Sequence, residues 1–122
     1  MTPQEHRDKA LKIERSLEKC GPQDYEMQIE AAMLAGTHWL NLALHRMGLT
    51  PPHADVLHTY MLTVNELRRF RAADAELVDA LVEIEDIRPA FVRGNAPGGE
   101  QAAERALALL AVLRRKAEAA GT

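Results

Sequence analysis

The segment from Asp24 to Met47 constrains the fold of this chain more than any other. Ile29, Met33, Gly36, Leu40, Ala43, Leu44 and Met47 recur at three- and four-residue steps, the signature of one apolar face of a helix. The opposite side carries Met27, Ala31, Leu34, Ala35, His38, Asn41, Leu42 and His45, and it is also poor in charge. A helix with two such faces has to be covered on both. It is therefore expected either at the centre of a bundle or with one face against a second subunit. Ala31, Ala32, Ala35 and Gly36 are small, so a neighbouring backbone can approach closely there. Gly48 ends the helix.

The remaining punctuation divides the chain into helices over about 3–20, 24–47, 52–71, 75–87 and 100–119. Thr2-Pro3-Gln4-Glu5 has the form of a capping box with proline at the first helical position. Ala10, Ile13, Leu17 and Cys20 make the apolar stripe that follows it, and Gly21-Pro22 stops that helix. The third helix is read from Pro52 to Arg71, with Leu57, Tyr60, Met61, Val64 and Leu67 as its core stripe. Asp74 caps a fourth, whose Leu77, Val78, Leu81 and Ile84 face inward. Arg88-Pro89 ends it, because a residue before proline avoids the helical region. The last helix turns Ala103, Ala106, Leu107, Leu110, Leu113 and Ala117 inward, with Leu109 and Val112 on its other side. The expectation is a single all-α domain over 1–122, an antiparallel four- to five-helix up-and-down bundle.

Composition agrees with this and excludes several classes of function. Hydrophobic residues are 47% and charged residues 27%, the balance of a folded domain, and 122 residues suffice for one core without disulfides. A formal net charge of −3 leaves no basic footprint, so nucleic acid is not an expected partner. Arg68, Arg69 and Arg71 form only a short local cluster. No run approaches the roughly 18 apolar residues of a membrane span. The polar N-terminus lacks the apolar core of a signal peptide, and the expected setting is the cytoplasm.

The polar residues offer few constellations with chemistry in them. His38 and His45 are seven residues apart on one helix face, hence roughly 10 Å apart along its axis, too far to share an ion. A two-histidine zinc site on a helix wants a spacing of three or four, so no metal ligand is assigned and no cofactor is expected. The acidic row Glu76, Asp79, Glu83 and Asp86 has no histidine at di-iron spacing and is read as a solvated face. No nucleophile and base can be paired, so no catalytic residue is assigned. The binding candidates are His38, Asn41, His45, Arg46 and His53, on the uncovered helix face and the turn after it. Met27, Ala31, Leu34, Ala35, His38, Leu42, Leu109 and Val112 are the candidates for a homodimer interface.

The run YEMQIEAAMLAGTHWLNLALHRMGLTPPHADVLHTYM resembles the signature region of HEPN-domain proteins. It has a long Ala-rich helix, then the turn Gly48-Leu49-Thr50-Pro51-Pro52, then a His/Asp opening at His53-Ala54-Asp55. EDIRPAFVRGNAPGGEQAAERAL is similar to the family's Arg/Pro stretch before its last helix, and the likeness spans about Asp24 to Leu113. The resemblance implies a helical bundle, commonly dimeric. It implies either a ribonuclease or a non-catalytic binding protein that accompanies a nucleotidyltransferase-type protein partner. The family's ribonucleases place an arginine shortly before a histidine near the later helices, and no histidine follows His58 here. Arg46 with His53, or Arg88 and Arg93 with another base, would be the ribonuclease alternative. The first expectation is a non-enzymatic, dimerising bundle that binds a protein partner or nucleotide. An unrelated helical interaction module is the third.

Overall fold

In the computed structural model, which describes residues 1–121, four long helices account for most of the chain. They are α1 (Pro3–Leu17), α2 (Tyr25–Arg46), α3 (Val64–Arg88) and α4 (Gly99–Ala119). A single 3₁₀ turn at Thr59–Met61 and a π turn at Pro89–Arg93 flank α3. No strand occurs among the described residues, and none of their helices is long and apolar enough to cross a membrane.

Cross-links between the helices fix their directions. Glu14 of α1 meets Trp39 of α2, while His6 lies further along α2, beside His45. Arg88 near the end of α3 reaches Glu30 near the start of α2. Glu83 pairs with Arg105, and Asp74 with Lys116, so α4 runs back along α3. Consecutive helices are thus antiparallel, the up-and-down arrangement that short links favour. Each of the other three packs on α2, which takes the central place expected of it. Of the expected stripe, Ile29, Met33, Gly36, Leu40, Ala43 and Leu44 are buried and Met47 is partly buried. Gly36 is a true close approach, since a Cβ there would sit 3.0 Å from Leu113 and 3.4 Å from Leu81. Trp39, wholly buried, donates its indole N–H to Glu14 at 2.7 Å, and the Arg114 guanidinium lies over its ring.

The capping box at Thr2 and Glu5 is present in full, but α1 stops at Leu17, so Cys20 lies beyond the helix. Asp74 does cap: its carboxylate accepts from the Leu77 N–H at 3.1 Å, with extended backbone at φ −161°, ψ 96°. The backbone resumes its helix at once, so the two expected segments form one broken element, α3. The larger correction concerns the expected helix from Pro52. Helix begins only at Val64, behind a second capping box made by Thr63 and Glu66. Residues 52–58 form a non-helical connector instead. Its backbone groups are taken by side chains from elsewhere: Val56 by Asn41, and the Thr59 N–H by Glu85. The stripe read from helical spacing there is accordingly wrong, and Leu57, Tyr60, Met61 and Val64 lie exposed.

The close seating of Gly99 against α2 can be checked directly. A Cβ at Gly99 would fall 2.4 Å from the Tyr25 ring. Gly99→Ala is expected to cost about 1–3 kcal/mol by overpacking, read as a lowered thermal midpoint. An unchanged midpoint would mean that the Tyr25 ring moves aside freely.

Candidate functional site

The polar centre of the molecule is assembled from three segments. α1 supplies His6, which falls one turn before Ala10 on the buried stripe and is itself 1% exposed. α2 supplies His38, Asn41 and His45 from the face that the sequence left without a cover. The connector supplies Asp55.

Asn41 sets the register. Its amide donates to the Val56 carbonyl at 2.7 Å and accepts from the Val56 N–H at 2.6 Å, copying the pairing of a neighbouring strand. It also donates to the Thr37 carbonyl at 2.9 Å. This holds the connector across α2 and sets Asp55 between two imidazoles. Asp55 Oδ1 is 2.9 Å from His6 Nε2 and 2.8 Å from His45 Nε2. The N-terminal ammonium of Met1 donates to Asp55 Oδ2 at 3.0 Å and to the Pro52 carbonyl. On the far side of the rings, His6 Nδ1 is 2.9 Å from His38 Nδ1. His45 Nδ1 is 2.7 Å from the Thr50 hydroxyl and 3.1 Å from the Thr50 carbonyl oxygen.

A fully neutral set of histidines satisfies this network. His38 donates to His6, His6 and His45 donate to Asp55, and the Thr50 hydroxyl donates to His45. Among the described residues no buried side-chain nitrogen or oxygen lacks a partner. Burial lowers the pKa of His6, against the opposing pull of the Asp55 carboxylate. Burial also lowers that of His38, helped by the nearby His6 and Lys9. For Asp55 partial burial works upward, but the hydrogen bonds from His6, His45 and the N-terminal ammonium prevail and hold the carboxyl at about 2. One nitrogen each of His6 and His45 and one oxygen of Asp55 lie within 4.8 Å of one another, a grouping of the size that holds a metal ion.

A buried carboxylate, Glu85, secures the far end of the connector. It accepts from the Thr59 N–H at 3.1 Å, from the Thr59 hydroxyl and from His58 Nδ1 at 3.0 Å. The Tyr60 ring stacks on His58.

Of the five binding candidates, the structure brings His38, Asn41 and His45 together. Arg46 turns to the end of α4, where it donates to the Ala117 carbonyl, and His53 is exposed on the connector. Sequence reasoning missed His6 and Asp55. His6 had a signal, its four-residue spacing from Ala10 on an otherwise apolar stripe. Asp55 stood out only within the pattern His53-Ala54-Asp55, and no spacing related it to the histidines, because the Asn41 clamp carries it there.

Three interface candidates are corrected as well. Ala35, Leu42 and Leu109 are buried inside the chain itself, because α2 is covered on more of its circumference than its stripe alone required. Met27 and Leu34 remain exposed, and Ala31, His38 and Val112 are partly covered. The acidic row forms surface ion pairs, with Arg115 on Glu76, Arg71 on Asp79 and Arg105 on Glu83.

No family model, curated protein or solved structure matches the chain.

His6, His38 and Asp55 give the metal-free fold a pH dependence of one sign. A histidine whose folded pKa is depressed contributes stability that is complete above its unfolded value near 6.5 and declines as pH falls below it. A carboxyl held at about 2 contributes stability that is complete above about 4 and is lost toward pH 2. Thermal melts of chelator-treated protein are therefore expected to show a midpoint that falls steadily below pH 6.5. A midpoint that rises on acidification would contradict the neutral network.

Proposed function

We propose that this chain is a non-enzymatic, HEPN-like binding bundle of the cytoplasm that pairs with a second copy of itself. One observation carries the reading. Leu57, Tyr60, Met61 and Val64 fall within eight residues of one another, and each is 65–67% exposed. Met27 and Leu34 add two more exposed apolar side chains on the outer face of α2. Large apolar side chains concentrated in this way suit a protein surface better than a nucleotide. A nucleotidyltransferase-type protein is the further partner that the family likeness suggests.

The ribonuclease alternative has less to support it. Arg88 is engaged through two of its nitrogens with both oxygens of Glu30, at 2.6 and 3.3 Å, and Arg46 is spent on the α4 terminus.

Sedimentation equilibrium at micromolar concentration is expected to give a dimer. The double substitution Tyr60→Glu and Met61→Glu is expected to shift it to monomer with helical content unchanged. A wild-type monomer overturns the pairing. In a parallel assay the purified protein is expected to leave RNA intact. Cleavage that vanishes in His53→Ala would establish the ribonuclease instead.

A further inference from the structure

The expectation of no metal rested on the spacing of His38 and His45 within one helix. The tertiary structure replaces that pair with a different set. We propose that His6 Nε2, His45 Nε2 and the Asp55 carboxylate form a binding site for one divalent transition-metal ion of the zinc class.

Geometry is the first argument. The three ligand atoms converge from α1, α2 and the connector, with His6 and His45 side chains 2% and 1% exposed. Tetrahedral zinc at about 2.0–2.2 Å from nitrogen and oxygen spreads its ligand atoms to roughly 3.3 Å. The two nitrogen–oxygen separations of 2.8 and 2.9 Å need open by only a few tenths of an ångström, and all the ligand atoms already lie within 4.8 Å of one another. Two imidazoles and one carboxylate are a donor set suited to zinc, cobalt or nickel rather than to calcium or magnesium.

The outer nitrogens provide the second argument. A histidine that binds metal through Nε2 carries its proton on Nδ1 and needs an acceptor there. Both rings have one. His45 Nδ1 faces the Thr50 carbonyl at 3.1 Å, and His6 Nδ1 faces His38 Nδ1 at 2.9 Å. Without metal, His45 Nδ1 accepts from the Thr50 hydroxyl at 2.7 Å, and the Thr50 carbonyl oxygen beside it makes no hydrogen bond to the ring. With metal, that contact becomes an N–H···O hydrogen bond. The proton that leaves each Nε2 is matched by one on Nδ1, and His38 turns from donor to acceptor by carrying its own proton on Nε2. The exchange is proton-neutral, and the polar network stays satisfied in either state.

Access is the third. Asp55 is 23% exposed and borders an open groove of about 350 Å³, together with Thr50, Pro51, Val56 and Arg69. An ion can reach the Asp55 carboxylate from that side. This site does not depend on the pairing proposed above.

The test uses the full chain with a free N-terminus, since the Met1 ammonium lies 3.0 Å from Asp55, so any tag goes on the C-terminus. Chelator-treated protein is titrated with Zn²⁺ by calorimetry and with Co²⁺ by visible absorption. The expected result is one ion per chain, with the intense Co²⁺ bands of a four- or five-coordinate site. His45→Ala and the near-isosteric Asp55→Asn should abolish binding. His38→Phe should weaken it by about 10–100-fold, as expected for a group that positions a ligand. Exposed His53→Ala should leave it unchanged. Circular dichroism on each variant separates lost binding from lost fold. The proposal is overturned if the folded wild type binds no ion, if Asp55→Asn binds as wild type does, or if binding is lost with His53 instead.

Discussion

The pairing of the Asn41 amide with the backbone of Val56 is the interaction on which the rest of the polar architecture depends. Both atoms of the amide are used, at 2.6 and 2.7 Å, and the residue is buried. A buried backbone N–H and C=O left without partners would each cost about 1–3 kcal/mol. Asn41 satisfies both at Val56, and so stabilises an extended connector where sequence spacing alone favours a helix. Every consequence at the site follows from that choice. Asp55 is the residue before the clamp, and it lands between His6 and His45. Glu85 secures the chain again at Thr59. Leu57, between these two anchors, and Tyr60 and Met61, just past the second, face outward instead of lining a helix.

The clamp links the two functional readings without making one depend on the other. It displaces Leu57, Tyr60 and Met61 from the core and so creates the exposed apolar segment. It also delivers the carboxylate that completes the histidine cluster. The rings are held in orientation by what lies behind them, Thr50 for His45 and His38 for His6. Such support on a rigid helical frame is what distinguishes a positioned set of ligands from side chains that merely lie near one another.

Stability elsewhere comes from ordinary sources. The core is built on Trp39, Phe70 and the aliphatic side chains around α2. Ion pairs such as Arg105 with Glu83 lie on the surface, where screening leaves them little energy, and they serve mainly to mark helix register. Arg88 with Glu30 is more buried and ties the end of α3 to the start of α2.

The helical class, the central place of the segment from Asp24 to Met47, the first capping box and the break at Asp74 were legible in the sequence. These follow from local rules, since the period of apolar residues, a capping side chain and a proline each act within a few positions. The same rules failed between Pro52 and Met61, where helical spacing was present but the backbone partners came from α2 and α3. They also failed at the site. His6 and Asp55 stand 49 residues apart, and no periodicity relates them. Only the packing of α1 on α2, together with a connector held by one asparagine, brings them within hydrogen-bonding distance. Part of the helix face that lacked a cover in the sequence is covered from within the chain, and the meeting of His6 and Asp55 upon it is a property of the tertiary structure alone.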